Sequence, residues 1–339
     1  MSANNLGAAP LWKDLSDLLA CPSCKERLTQ EENAFRCQTC GQSYPIIGNI
    51  PRFVTSEHYA GNFGFQWTKH EKTQLDGEMS KSSEEYFKAR LGLDPEKLSG
   101  KLILDVGCGM GRYAEVASRY GARVIGIDLS RAVEAAYANL KDRPNVQIIQ
   151  ASVFDLPFAE GTFDYIYSIG VLHHTPDCHK AFSCLPRLLR PGGKVSIWVY
   201  SHYDKPFFFM SELYRHVTPK LPTKVLYALC HVSVPLHWID QALLKVRLKP
   251  VAYALRFAVP IPSRHPDWHW RVLDTFDWYG PQYQSKHTYE EVFKWFEAEG
   301  MVNIRVLGAP VAMQGQRPLK KDSRLINEEE PTTSTRVAG

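Results

Sequence analysis

The feature that most constrains this chain is a glycine-rich turn between an apolar run and a helical pattern. Leu102–Leu104 is typical of a buried strand, which ends at Asp105. Glycines then stand at alternate positions, 107, 109 and 111, and residues 112–120 have the spacing of a helix. A strand, a tight glycine turn and a helix N-terminus let a ligand approach bare backbone. The turn therefore predicts a ligand site.

The charge beside this turn narrows the choice of ligand. The glycines are spaced G-x-G-x-G, whereas dinucleotide-binding folds use G-x-G-x-x-G, and Asp105 stands two residues before Gly107. A carboxylate there repels a pyrophosphate but suits a ligand with a cationic amino group. S-adenosylmethionine is such a ligand, because it carries an α-amino group and a sulfonium.

Further apolar runs follow the turn and alternate with helical patterns, which indicates a parallel sheet covered by helices on both faces. These runs are Val124–Asp128, Val146–Ile149, Phe163–Ser168, Lys194–Tyr200, Val302–Leu307 and Val311–Met313. With the first strand they make seven, and we expect the last to be antiparallel. Asp128 ends a strand 21 residues after Gly107, where a doubly wound sheet places the carboxylate that binds ribose hydroxyls.

Five ordered motifs resemble class I S-adenosylmethionine-dependent methyltransferases, most of all the branch of ubiquinone/menaquinone and sugar or natural-product enzymes. The motifs are Asp-Val-Gly-Cys-Gly-Met-Gly, Ile-Asp-Leu-Ser, Asp-Leu-Pro-Phe, Val-Leu-His-His and Leu-Arg-Pro-Gly-Gly, the last as a turn at 189–193. The resemblance covers about residues 85–200. It implies an α/β, Rossmann-like seven-stranded sheet, S-adenosylmethionine as cofactor and methyl transfer as the activity. It leaves the acceptor open.

The resemblance also implies a set of cofactor-binding residues at the strand ends. They are Asp105, Gly107, Cys108, Gly109, Gly111, Asp128, Leu129, Ser152, Val153, Ser168 and Ile169. Asp105 is expected to orient the amino group and Asp128 to hold the ribose. Ser152 stands where members of this branch usually have an acidic residue that contacts the adenine amino group. We therefore expect the adenine to be bound more weakly here than in those enzymes.

The candidate catalytic residues follow the fourth and fifth strands. His173 and His174 are the first candidates for a general base, because imidazole titrates near neutral pH, and the expected ionisation lies near pH 6–7. We expect His173 to face the site, because Val171–Leu172 should turn into the core. Both histidines also fit a purely structural role at a helix start. The alternatives are Tyr200, His202 and Tyr203, and the sequence does not choose between O, N and C acceptors.

Four cysteines near the N-terminus have the spacing of a zinc site. Cys21 and Cys24 form one C-x-x-C pair, and Cys37 and Cys40 form a second after twelve intervening residues. Two such pairs can offer four thiolates to one tetrahedral zinc. Two disulfides or unrelated buried thiols are the alternative, but no secretory signal pattern is visible, which favours a reducing cytoplasm. Residues 15–55 also resemble the zinc-ribbon activator domain that pairs with tRNA and release-factor methyltransferases.

The remaining segments complete the predicted domain organisation. Residues 56–84 are a linker or a lid over the cofactor, 85–203 and 271–315 form the methyltransferase domain, and 316–339 form a disordered tail. Residues 204–270 are predicted to form two or three helices, broken by prolines, as a substrate cap. The same helices could instead extend the core, or contact a membrane, since basic and apolar residues interleave there.

Three functions remain open on the sequence alone. The first is methylation of a small molecule such as a sugar, quinone or secondary metabolite. The second is methylation of RNA or protein, with the zinc ribbon as docking module. A net charge of +4 and the lack of an Asn-Pro-Pro-Tyr motif count against it. The third is a non-catalytic cofactor-binding scaffold. No apolar run of about 18 residues predicts a membrane span, and the oligomeric state is open.

Overall fold

The computed structural model describes residues 12–55, 58–76, 82–203 and 205–319. Its centre is a seven-stranded sheet built from apolar runs, and every residue of the central strand β5 is buried. The strands are β5 (Leu102–Val106), β6 (Arg123–Asp128), β7 (Val146–Gln150), β8 (Phe163–Ile169), β9 (Leu189–Trp198), β10 (Val302–Val306) and β11 (Ala312–Gln316).

The order across this sheet is β10-β11-β9-β8-β5-β6-β7. Strands β5 to β9 pair in parallel, and β11 is antiparallel to both of its neighbours. The predicted seven-stranded fold with an antiparallel last strand is therefore confirmed. The chain order reverses between β5 and β8, and in open α/β sheets ligands bind at the carboxyl ends of the strands at such a reversal.

The helices lie between and beside these strands. They are α2 (Gly61–Lys69), α3 (Ser82–Leu91), α4 (Arg112–Arg119), α5 (Ala132–Leu140), α6 (Cys178–Ser183), α7 (Lys205–Arg215), α8 (Thr223–Cys230), α9 (Ser233–Lys245), α10 (Lys249–Ala258), α11 (Trp268–Tyr279) and α12 (Tyr289–Ala298), after a short α1 (Leu15–Leu18). Among the described residues, no helix is long and apolar enough to cross a membrane.

A small antiparallel sheet precedes the large one. Its strands are β1 (Leu28–Gln30), β2 (Ala34–Cys37), β3 (Ser43–Ile47) and β4 (Ile50–Pro51). The Phe53 N–H donates to the Gln150 carbonyl at 2.8 Å, and Arg52 forms a parallel bridge with Gln150. The small sheet thus covers the open edge at β7. Phe35 and Ile149 belong to one buried cluster, so both sheets share a hydrophobic core.

Two predicted boundaries differ from the structure. Residues 205–258 form four helices, more than the two or three expected, because Pro222 and Pro250 stand at helix starts, where the missing N–H costs nothing. Strand β9 begins at Leu189, so the expected turn at 189–193 is an irregular strand start with a register shift against β8. The predicted disordered tail lies outside the described residues from 320 onward.

Candidate active site and metal centre

One cavity of about 550 Å³ opens at the carboxyl ends of the central strands. Its floor comes from the ends of β5, β6 and β8, and its walls come from α2, α3 and α11. The N-terminal segment and the late helix α11 therefore meet over the glycine turn. This arrangement places the turn in an enclosed space and not on an open surface.

The glycines of the turn are required by close packing as well as by backbone conformation. Gly107 has φ 77°, and a Cβ there would lie 2.3 Å from a Val171 methyl carbon. Gly109 has φ 54°, and a Cβ there would lie 3.1 Å from the indole of Trp67. Side chains rarely adopt such positive φ values. The turn thus presents bare backbone to the cavity, with α2 lying directly against it.

Asp105 is a buried carboxyl group that forms no ion pair with any residue that the structure describes. It is 2% exposed, and its Oδ2 has no hydrogen-bond partner among the described residues. Burial raises the pKa of Asp105 to about 8. Because a nearby positive charge would reverse this penalty, the site fits a ligand with a cationic amino group. Asp105 does not itself line the cavity, but Val106 and Gly107, which follow it, do.

Asp128 lines the cavity in a fixed orientation. Its Oδ2 accepts the Gly109 N–H at 3.0 Å, and its Oδ1 accepts both the N–H and the hydroxyl of Ser130, at 2.9 and 2.8 Å. Oδ2 retains a lone pair for a further donor, whereas Oδ1 already accepts two hydrogen bonds. The geometry therefore fits a ligand that offers a hydroxyl to Oδ2, as a ribose does.

The structure brings most of the other predicted cofactor-binding residues together and leaves some outside the cavity. Those that line it, besides Asp128, are Gly107, Cys108, Gly109, Leu129, Val153 and Ile169. Gly111 packs against Leu140, the Ser168 hydroxyl donates to the Val106 carbonyl, and Ser152 Oγ accepts the Phe154 N–H. The side chains of Ser152 and Ser168 are thus engaged within the protein.

The histidine pair is oriented opposite to our expectation. His174 lines the cavity and His173 does not, because Val171 packs against Gly107 at the cavity while Leu172 is buried. His174 Nδ1 lies 3.0 Å from the Tyr283 carbonyl, which fixes Nδ1 as the donor. His174 Nε2 has no hydrogen-bond partner in the described residues. Burial lowers the pKa of both imidazoles, so both are neutral at neutral pH.

The alternative catalytic candidates separate clearly. Tyr200 lines the cavity, and its ring stacks on His173 with centroids 3.8 Å apart. Burial raises the pKa of Tyr200 well above its usual value, so its hydroxyl stays protonated. His202 and Tyr203 do not line the cavity, and the Tyr203 hydroxyl donates to Glu290 instead.

The face that α11 presents to the cavity could not be predicted from the sequence. This face consists of Trp270, Leu273, Asp274, Asp277 and Trp278, at the spacing of one helix face. The Tyr200 hydroxyl donates to Asp277 at 3.0 Å, and burial raises the pKa of Asp274 to about 7. Neither carboxylate has an ion pair with any residue that the structure describes. The helical spacing was the available signal, but the predicted domain boundary at 270 divided it.

Two arginines that line the cavity also escaped prediction from the sequence, and one of them, Arg112, lies 5.2 Å from the ring centre of Trp270 on α11. Arg112 donates to Ser83 and to Gln74, at 2.8 and 3.2 Å, while its Nη2 has no partner in the described ranges. The guanidinium of Arg90 lies 4.3 Å from the ring centre of Trp198. Because both arginines line the cavity, one end of it suits a carboxylate.

The four N-terminal cysteines converge as the spacing predicts. Their Sγ atoms all lie within 4.8 Å of one another. The Sγ atoms of Cys21 and Cys40 are 3.6 Å apart, and those of Cys24 and Cys37 are 3.4 Å apart. A tetrahedral zinc with bonds of about 2.3 Å needs sulfurs roughly 3.8 Å apart. All four are free thiols, so the cluster fits a structural zinc.

Family models match both the large sheet and the N-terminal part that holds the four cysteines. Residues 104–197 match the model described as a methyltransferase domain, and residues 13–49 match the model described as a Trm112p-like protein. The chain contains a methyltransferase domain and a Trm112p-like domain. The resemblance drawn from the motifs is confirmed, and these matches support both predicted cofactors, S-adenosylmethionine and zinc.

Named relatives match the methyltransferase domain over part of their length. O-methyltransferase resE of Aspergillus sclerotiorum is 36% identical over 104 residues, which is 29% of this chain and 39% of the relative. Phosphoethanolamine N-methyltransferase 2 of Caenorhabditis elegans is 38% identical over 107 residues, 30% of this chain and 24% of the relative. The ubiquinone biosynthesis O-methyltransferase of Acinetobacter baylyi is 31% identical over 156 residues, which is 44% of this chain and 66% of the relative.

The chain is also similar to a solved structure. It is a complex between the Haloferax volcanii Trm112 methyltransferase activator and a putative methyltransferase. It is 19% identical to this chain, covers 44% of this chain and 66% of its own, and has a TM-score of 0.36.

Proposed function

We propose that the protein is an S-adenosylmethionine-dependent methyltransferase that acts on a small-molecule acceptor. The observation that carries this proposal is the continuity of the cavity. The glycine turn, Asp128 and the acidic and aromatic face of α11 all line the same cavity. Cofactor and acceptor would therefore share one cavity, which suits a small molecule better than a folded macromolecule.

Several residues would bind and orient the cofactor, which when bound supplies an electrophilic methyl group on a sulfonium. Asp105 would balance the amino group, Asp128 would hold the ribose hydroxyls, and Arg90 or Arg112 would hold the carboxylate. Phe63 and Trp67 on α2 line the same cavity and would exclude water from it. Holding the two reactants in line and dry is the main task of such an enzyme.

The residues that handle the acceptor's proton are proposed to be His174 and the Tyr200–Asp277 pair. His174 is the first choice for a base, because it is neutral, its Nδ1 is engaged and its Nε2 is free to accept. Tyr200 donates to Asp277 and would position that carboxylate. His173, which stacks on Tyr200, is then a positioning residue. An acceptor with hydroxyl or amine donors, as in a sugar, quinone or secondary metabolite, fits this wall.

The domain organisation stated above stays a proposal, with α2 as the lid segment. A cytoplasmic location also stays a proposal, supported by the four free thiols, which persist as zinc ligands in a reducing compartment.

The test is methyl transfer from labelled S-adenosylmethionine into fractions of a cell extract. We expect label in the small-molecule fraction with the parent protein and none with Asp128→Ala. Label in the RNA or protein fraction would favour the alternative function, with the zinc ribbon as docking module. Absence of label in every fraction, with cofactor binding intact, would favour the scaffold.

A further inference from the structure

The helical hairpin α9–α10 ends in a tip of unusual composition. Its residues are Lys245-Val-Arg-Leu-Lys249, and all five are exposed. Val246 is 63% exposed and Leu248 is 49% exposed. Two aliphatic side chains thus stand in solvent between three cations, an arrangement that costs free energy unless something covers it.

The charge around this tip is one-sided. Residues 205–264 contain nine Lys or Arg and only two carboxylates, Glu212 and Asp240. Glu212 accepts from Lys286, and Asp240 accepts from Arg256 at 2.6 Å. The three tip cations make no ion pair with any part of the chain that the structure describes. Their field is therefore uncompensated and attracts a negatively charged surface.

The backbone at the tip favours glycine, yet an arginine stands there. Helix α9 closes with the Leu248 N–H donating to the Leu243 carbonyl at 2.8 Å, and Arg247 takes φ 62°. This is the helix C-terminal position that glycine usually occupies, because other residues pay roughly 1 kcal/mol for the left-handed conformation. A strained arginine at an exposed tip points to a use for its charge.

The flanks of the hairpin extend the apolar surface. Trp238 and Ile239 are exposed on α9, and Val251, Tyr253 and Phe257 are exposed on α10. Tryptophan and tyrosine are favoured at the boundary between lipid and water, where an apolar ring and a polar edge are both satisfied. The hairpin therefore offers apolar side chains, interfacial aromatics and cations together.

We propose that the α9–α10 tip docks this protein on a bilayer that contains anionic phospholipids. Lys245, Arg247 and Lys249 contact the headgroups, and Val246 and Leu248 enter the headgroup–acyl boundary. The contact is peripheral. It goes beyond the proposed methyl transfer and does not depend on it, although α11, which walls the cavity, packs on α9.

The test is sedimentation of the full chain with vesicles of phosphatidylcholine alone or with 30% phosphatidylglycerol. We expect binding to the anionic vesicles only, reduced by high salt. Arg247→Gly keeps the turn and removes the charge, so it should weaken binding about fivefold. Lys245→Gln with Arg247→Gly and Lys249→Gln should weaken it about a hundredfold. Val246→Gln should weaken it as well, by loss of buried apolar area.

Matched control variants separate this contact from general surface effects. Lys101→Gln with Lys141→Gln removes two exposed cations elsewhere, and Val306→Gln changes a 56% exposed valine on β10. Both should bind as the parent does. Equal binding to the two kinds of vesicle, unchanged binding by the tip variants, or a tip that instead mediates self-association or RNA binding in parallel assays would overturn the proposal.

Discussion

At the scale of single residues, burial of the Asp105 carboxylate costs free energy of folding, and a bound cationic ligand would remove that cost. Its pKa is about 8 in the folded chain, above the ordinary value of about 3.9 for an unfolded chain. Because the unfolded state releases this proton first, the stability of the cofactor-free protein should fall as pH rises from about 4 to about 8.

Asp105→Asn should therefore stabilise the cofactor-free protein at pH 7.5 by about 1–3 kcal/mol, and much less at pH 4. Thermal unfolding at the two pH values measures this difference. Asp142→Asn, at an exposed position, is the control and should change little. A variant that is destabilised equally at both pH values would show that Asp105 serves packing and not a cationic ligand.

His174 is the second residue whose role can be measured. His174→Ala should lower kcat about 10²–10⁴-fold with near-normal cofactor affinity. Burial lowers the pKa of His174, so the turnover rate of the parent protein should not change with pH around neutrality. The rate should decline only at a pH below 6–7, the range in which an ordinary imidazole titrates. His173→Phe, which preserves the stacking on Tyr200, should keep most of the turnover. The reverse pattern between the two variants would reassign the base.

The residues whose positions in the fold could be predicted from the sequence stand at strand ends. Asp105 and Asp128 could be placed from the sequence because each closes an apolar run of known direction. The choice between His173 and His174 could not, because it depends on a short turn whose rotation is set by Val171 packing on Gly107. That contact joins residues 64 positions apart, beyond the reach of local patterns.

At the scale of elements, α2 is the part that decides whether the cavity is closed. The indole of Trp67 lies against Gly109, and Phe63 lies 5.2 Å from the His174 ring. Trp67→Ala should weaken S-adenosylmethionine binding about three- to tenfold, through loss of aromatic contact and easier access of water. Trp238→Ala, at the exposed surface, is the matched control. Unchanged affinity in Trp67→Ala would make α2 a linker that only packs.

The sequence predicted elements well where their pattern is periodic and poorly where proline interrupts it. Helix α12 is a periodic case: Thr288 Oγ1 accepts the Glu291 N–H at its start, and Val292, Trp295 and Phe296 are buried along one face. In the inserted segment the prolines predict breaks, although Pro222 and Pro250 stand at helix starts. The Asp274–Asp277 face of α11 escaped prediction for a different reason, because the predicted domain boundary at 270 divides that helix between cap and sheet domain.

At the scale of the whole molecule, the zinc ribbon and the large sheet behave as one packed body. Their shared core and the Phe53–Gln150 pairing join them, so we expect loss of zinc to affect the cofactor site as well. Zinc removal or Cys40→Ser should lower the unfolding temperature of the full chain in a single transition and weaken cofactor binding. Cys184→Ser is the control. Two separate transitions, with the later one unmoved, would show independent domains.

The sequence could predict both folded parts but not their contact. The spacing of the cysteines and the spacing of the glycines are local sequence patterns. The first predicts the zinc ribbon, and the second predicts the large sheet. The docking of the ribbon on β7 combines backbone pairing at Gln150 with a shared hydrophobic core, and both join segments that are far apart in the sequence, beyond the reach of local patterns. The cavity is likewise a product of the whole chain, since its walls come from segments that are 200 residues apart.

Binding of S-adenosylmethionine at Asp105 and Asp128 is tested most directly by calorimetric titration of the full chain with that cofactor. We expect one S-adenosylmethionine site per chain. Its affinity for the cofactor should be lowered at least about tenfold, or about 1.4 kcal/mol, in both Asp105→Ala and Asp128→Ala. Zinc content measured on the same samples should stay at one per chain, which shows that the variants are folded. Absence of binding by the parent protein, or unchanged affinity in both variants, would contradict the account.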